Sequence, residues 1–341
     1  MKIYKNDAHL AHQSRLELVP GKFIPTLDVR ERTGAVLEIL QRVSDAEVID
    51  CPPATMQDLL CIHSRDYLDF LSCAWEQWVA AYSADLDGVG FVWPHRNRPA
   101  RCPTAIEGKI AYYMFDGVST ITPGMWAATL GAAGAALQAA NDLKRSGSGG
   151  IVLARPPGHH ACKDMGGGTS YTNHTALAAH TLSAGGARVA VLDIDAHHGN
   201  GTQDIFWTRS DVLTISIHTD PAVDYPYFSG YADEIGEGSG EGFNLNLPVA
   251  PGSSWSSGYS QALAAATKKI RHFAPDYLVI ALGADAHIND PAGRIDLHTE
   301  DFKHIGQAIA ELDIPHMFVL EGGYGLDVIG ECVRNVVAAG G

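Results

Sequence analysis

Seven short runs rich in branched apolar residues punctuate this 341-residue chain: EVID, GGIVLARP, RVAVLDID, VLTISIH, FNLNLPV, DYLVIALG and HMFVLEGG. Most lack the strict alternation of a strand that keeps one face in water. The later runs are separated by longer Ala-rich or amphipathic stretches that read as helices: HTALAAHTLSAGG, SSGYSQALAAATKKIRHF, TEDFKHIGQAIAEL and DVIGECVRNVVAA. Strands buried on both faces and joined by helices predict an α/β fold, a mostly parallel central sheet with helices on both faces. In such sheets ligands collect beyond the carboxyl ends of the strands.

Those ends are where the polar chemistry lies. IVLARP runs into PGHHACKDMGGGTSYTNH, VAVLDID into AHHGNG, VLTISIH into TDPAVDYPYF, LVIALG into ADAHINDP and MFVLEG into GYG. In VLDIDAHHGNGTQ, Asp193, Asp195 and His197 alternate and so share one face of an apolar strand. Burying such groups costs several kcal/mol each unless a partner compensates, which points to a cation. Asp195 and His197 stand at the strand's end, Asp193 lies one step deeper, and Asp285 in LGADAH is the best third ligand from another strand. Two carboxylates and one imidazole leave an open position on Zn²⁺ or Fe²⁺. The tandem His159 and His160 read as proton-handling groups. One bonded to Asp193 would stay imidazolium, whereas one bonded to the amide of Asn200 would stay near neutral and act as a base. Tyr324, on the glycine-flanked loop EGGYG, could donate a hydrogen bond to a developing oxyanion.

A formal charge of −15 disfavours a nucleic-acid binder and suits a cationic substrate. No run approaches a membrane span, and MKIYKNDAHL lacks the apolar core of a secretory signal. The six scattered cysteines read as reduced thiols, so a cytoplasmic location is expected. The segment 74–123 is long, rich in aromatic and turn residues and without a clear period. It reads as a loop insertion in a single domain spanning 1–341, with Trp75, Trp78 and Trp93 exposed for an interface.

Together RPPGHHA, LDIDAHHGNGT, LGAD and EGGYG resemble the zinc-dependent deacetylase superfamily of histone deacetylases and acetylpolyamine amidohydrolases, which share the arginase fold. The insertion, HGNGTQDIF and YPYFSGYADE resemble its bacterial acetylpolyamine amidohydrolase branch. The resemblance implies an arginase-deacetylase fold and removal of acetyl groups from small cationic acylated amines. It makes Asp195, His197 and Asp285 zinc ligands and His160, against Asn200, the general base and acid. His159, against Asp193, becomes an electrostatic imidazolium, and Tyr324 polarises the amide carbonyl. It also implies a structural K⁺ held by Asp193 and backbone carbonyls near Asp195, His197, Ser216 and Ile217, and a homodimer formed through the insertion.

The chain departs from that family at GGTSYTNH. Thr169, after Gly168, stands where an aromatic wall of the substrate tunnel is expected, while Tyr225 keeps the opposite wall. Glu107 and Asp116 are candidates for the amine's charge, with Val118 where a selecting glutamate is expected. Deacylation of acetyl-lysine is the alternative substrate reading. An arginase-like dimetal site lacks its further carboxylate at Gly199, and a non-catalytic binding module would have lost a ligand or Tyr324.

Overall fold

A computed structural model describes residues 1–42, 46–95 and 99–340. The strands are β1 (Lys2–Lys5), β2 (Leu16–Val19), β3 (Lys22–Pro25), β4 (Glu47–Asp50), β5 (Gly150–Val152), β6 (Val189–Asp193), β7 (Val212–Thr219), β8 (Asn244–Val249), β9 (Tyr277–Leu282) and β10 (His316–Leu320). The helices are α1 (Glu31–Arg42), α2 (Met56–Leu59), α3 (Arg65–Ala81), α4 (Ile106–Tyr113), α5 (Met125–Ser146), α6 (His174–Ser183), α7 (Asn200–Phe206), α8 (Ser260–Phe273), α9 (Asp301–Ala310) and α10 (Ile329–Gly340).

Eight strands form one sheet in the order β4-β1-β5-β10-β9-β6-β7-β8, every pairing parallel; β2 and β3 form a separate antiparallel hairpin. Every residue of β6 and β7 is buried, as continuous apolar runs in a two-sided sheet require. Helices cover both faces. Leu68, Leu143, Leu177 and Val191 belong to one core, and Leu40, Ile270, Ile305, Val333 and Leu192 to the other. Alternate residues of β6 thus feed opposite cores. The long α5 seats closely on the loop that follows β4 because its face is small: a Cβ on Gly134 would fall 2.0 Å from the Pro52 carbonyl oxygen. The strands β5, β10, β9 and β6 are consecutive neighbours at the sheet's centre, so the loops leaving them converge on one point.

All seven strands read from the sequence form, and β1 joins them; its KIYK holds only two apolar residues and is too short to stand out. Among its described residues, the segment 74–123 is more helical than expected. Residues 74–81 complete α3, and 106–113 form α4. Tyr67, Leu68, Leu71, Ala74 and Trp78 are the buried stripe of α3, a helical period masked by its aromatic neighbours. Trp78 is therefore buried rather than exposed, its indole N–H donating to the Leu86 carbonyl at 2.8 Å, and Trp75 and Trp93 are half-buried. No helix among the described residues is long and apolar enough to cross a membrane. All six cysteines are free thiols.

Candidate active site

Beyond the end of β6 the chain turns back on itself through its own side chains. The Asp195 amide donates to Asp193 Oδ1 at 3.1 Å, and the His197 amide to Asp195 Oδ1 at 2.9 Å. Beyond β9, Asp285 Oδ1 accepts from the Ala196 amide at 2.9 Å; beyond β10, the Gly322 amide donates to Asp195 Oδ2 at 2.8 Å. Each carboxylate is thus aimed by main-chain donors. Gly322 permits this approach, since a Cβ there would fall 2.5 Å from Asp195 Oδ2 and 2.7 Å from Asp285 Oδ2.

The result is a cluster in which Asp195, His197 and Asp285 bring ligand atoms within 4.8 Å of one another. His197 Nδ1 lies 2.9 Å from Asp285 Oδ2 and 3.2 Å from Asp195 Oδ1. Burial disfavours charge on that imidazole, yet the two carboxylates outweigh it and pull its pKa well above the usual histidine range. Burial and the Asp195 charge push Asp285 upward. Two buried carboxylates crowding one ring nitrogen call for a cation at their centre, and an Asp₂His donor set fits a divalent transition ion with an open position.

The tandem histidines are divided by their partners. His159 Nδ1 lies 2.9 Å from Asp193 Oδ2, whereas His160 Nδ1 lies 2.7 Å from Asn200 Oδ1. Burial opposes charge on His159, but Asp195 and Asp193 overcome it and hold its pKa at about 10. Burial, then the charges of His159 and His197, push His160 well below the usual histidine range. One ring is cationic and its neighbour, 4.0 Å away centre to centre, is a neutral acceptor. Tyr324 is half-buried, and burial, with the charges of Asp195 and Asp285, keeps its phenol protonated and able to donate.

Several residues that hold this arrangement were not among those singled out from the sequence. Buried Glu321 accepts the Gly158 amide at 2.6 Å and the His159 amide at 3.0 Å. Asp290 Oδ2 accepts the Tyr324 amide at 2.6 Å and the Gly325 amide at 2.8 Å. The guanidinium of Arg32 donates to the carbonyls of Glu321 and Gly323 at 2.5 and 2.6 Å and lies over the Tyr324 ring. The Asn-Asp-Pro of HINDPAG was a turn signal for Asp290; nothing local marks Arg32.

The mouth is more mixed. Tyr225 sets its ring edge against His160, with centroids 5.0 Å apart. Gly168 packs on the His160 ring, and Thr169, at φ 60, turns its hydroxyl back to the Gly168 carbonyl at 2.6 Å. Asp116 reaches Tyr225. Glu107 instead faces the Tyr82 hydroxyl at the end of α3, and no hydrogen bond or ion pair among the described residues joins it to the cluster. His287 bonds Thr299 and the Asn289 amide, away from the donor set.

A parallel sheet whose central strand ends carry an Asp₂His cluster, a divided histidine pair and a protonated tyrosine has the parts of a metal-assisted hydrolase. The chain belongs to the histone deacetylase family, whose domain profile matches residues 27–340. It is 43% identical over 339 residues to acetylpolyamine amidohydrolase 1 of Pseudomonas aeruginosa, covering 99% of this chain and 97% of that protein. It is 37% identical over 339 residues to the acetylpolyamine amidohydrolase of Mycoplana ramosa, covering 99% and 98%. The crystal structure of an acetylpolyamine aminohydrolase from Burkholderia pseudomallei matches with a TM-score of 0.94 at 32% identity, over 100% of this chain and 98% of that one.

Proposed function

We propose that this chain is a zinc-dependent amidohydrolase that removes acetyl groups from N-acetylated small amines, acetylpolyamines among them. The observation that carries the reading is the split histidine pair, a neutral His160 on Asn200 beside a cationic His159 on Asp193, facing the Asp195–His197–Asp285 cluster. When bound by those three residues, zinc supplies Lewis-acid polarisation of the amide carbonyl and acidifies water. The neutral ring of His160 accepts a proton as water oxygen bonds to the acyl carbon. The phenol of Tyr324 donates a hydrogen bond to the carbonyl oxygen as negative charge gathers there, and the His159 imidazolium adds a fixed positive charge. His160 then gives its proton to the amine nitrogen as the C–N bond breaks, leaving acetate and free amine.

The relatives' names support an acetylated amine, and the formal charge of −15 favours a cationic one. A K⁺ belongs beside Asp193 in this reading, where Asp193, His198, Ser216 and Asn244 are among the residues lining a small cavity. The exposed Phe91 and Val92 support a homodimer formed through the insertion at 74–123 of a single domain, and six free thiols support a cytoplasmic location.

Hydrolysis of N-acetylputrescine, N-acetylcadaverine and N-acetylspermidine, beside an acetyl-lysine peptide, tests the reading with zinc-loaded protein and a Tyr324→Phe control. Turnover of the small amines that collapses in the control is expected. Turnover of the peptide alone would move the function to lysine deacylation. Inactivity on all four with zinc bound would overturn hydrolysis.

A further inference from the structure

Phe115 and Asp116 belong to the insertion, yet both end at the mouth of the cluster. The Gly166 amide donates to the Tyr113 carbonyl at 2.8 Å and the Phe115 amide to the Gly166 carbonyl at 2.9 Å, which stitches this segment to the glycine run after the tandem histidines. A Cβ on Gly167 would fall 2.1 Å from the Phe115 ring, so the ring lies directly on that glycine. Its other neighbour is Tyr225, stacked with centroids 6.2 Å apart and planes at 26°. Both rings are half-buried and so remain partly open to solvent.

Asp116 fastens this pair. Its Oδ2 accepts the Tyr225 hydroxyl and the Gly168 amide, both at 2.7 Å, and its Oδ1 accepts the Val118 and Ser119 amides, both at 3.1 Å. Four donors use the roughly four acceptor sites of a carboxylate, leaving none for a substrate ammonium. Gly168 passes the restraint on, since a Cβ there would fall 2.2 Å from His160 Cδ2. Thr169 cannot take over the wall, because its amide donates to Ser119 Oγ at 2.8 Å and its hydroxyl is spent on Gly168.

We propose that Asp116 is a positioning residue of this site. It holds the Tyr225 ring and the Gly168 backbone against His160 rather than receiving the charged end of the substrate, and Phe115 supplies the second aromatic wall that Thr169 lacks. The inference rests on the amidohydrolase reading above. The two rings select an unbranched methylene segment by contact with apolar faces, and the order imposed by Asp116 serves every substrate alike, charged or neutral.

The test is steady-state kinetics of the zinc-loaded protein on two acetamides of equal length, cationic N-acetyl-1,5-diaminopentane and neutral N-hexylacetamide. Asp116→Asn presents an NH₂ group to one pair of donors, so kcat/KM is expected to fall roughly ten- to hundredfold, the scale of a lost charge-assisted hydrogen bond, by the same factor on both substrates. Tyr225→Phe removes only the hydroxyl and should lose a similar factor on both, and the double variant should lose no more than the worse single one. Phe115→Ala should raise KM on both with a smaller change in kcat. A loss confined to the cationic substrate would make Asp116 an ammonium receptor and overturn the proposal, as would full activity in both single variants. Should Asp116→Asn fail to fold, Tyr225→Phe alone decides: an equal loss supports the latch, and unchanged kinetics overturn it. A wild-type protein silent on both acetamides would sink the amidohydrolase reading itself, and the latch with it.

Discussion

His159 and His160 are adjacent in the chain and their rings lie 4.0 Å apart, yet one Nδ1 meets a carboxylate and the other an amide oxygen. The amide is what leaves His160 free to accept a proton near neutrality. Asn200→Asp would put a negative charge 2.7 Å from that ring and raise its pKa. Because the acting form is the neutral one, the rising limb of the pH–rate profile should move to higher pH and activity near pH 7 should fall. A profile whose limb stays in place would remove His160 from the role of base. Tyr324→Phe deletes one donor to the developing oxyanion and should lower kcat about 10²- to 10³-fold with KM little changed. Asp285→Asn should cut zinc content, read by atomic absorption, along with activity; full metal occupancy in that variant would remove Asp285 from the ligand set. The cluster, though not these pairings, was legible in the sequence as acids and an imidazole alternating from the end of an apolar run; β6 itself ends at Asp193, so Asp195 and His197 lie in the turn beyond it. The place of Glu107 was not legible, since its register on α4 carries it to Tyr82, which only the packing of α3 on α4 determines.

The loop after β10 shows what an element needs beyond its motif. Asp290 holds the amides of Tyr324 and Gly325, and Arg32 clamps the carbonyls of Glu321 and Gly323 from α1. Asp290→Ala should release the loop and reduce kcat at least tenfold, while zinc content stays near that of the wild type. Unchanged turnover would mean the loop holds its shape without Asp290. Arg32 is itself anchored by Asp28 at 2.5 Å, and Arg155 approaches the same carboxylate at 3.3 Å, with all three side chains buried. Asp28→Ala would leave two buried guanidiniums without that charge, and roughly 3–5 kcal/mol of stability should be lost, read as a lower urea midpoint. The sequence marked Asp290 only as a turn residue and did not mark Arg32, because the two lie 258 positions apart and reach the same loop only through tertiary packing. The helical period of α3 was in the chain but obscured by aromatic residues, so residues 74–81 read as loop.

At the scale of the whole molecule, burial sets how the protein meets acid. His12 and His63 are buried, and desolvation pushes each down to about 4; the same cause holds His174 at about 3. In the unfolded chain each returns to about 6.5. Between those values the unfolded state binds more protons, so stability is full above about pH 6.5 and falls as the pH drops toward 4. The loss approaches about 3 kcal/mol per histidine at the limit. A urea midpoint that stays flat from pH 7 to pH 4.5 would contradict this. The sequence alone determined the sheet, its helices and the side chains that cluster at its centre. Apolar periodicity decides which elements form, and parallel strands must present their carboxyl ends together. Only the tertiary structure decided which nitrogen meets a carboxylate and which an amide, that Asp116 turns toward Tyr225, and that Phe115 rather than Thr169 faces that ring. Those outcomes are contacts a few ångströms long between residues far apart in the chain. They depend on how loops settle on a finished core, which no local pattern of residues encodes.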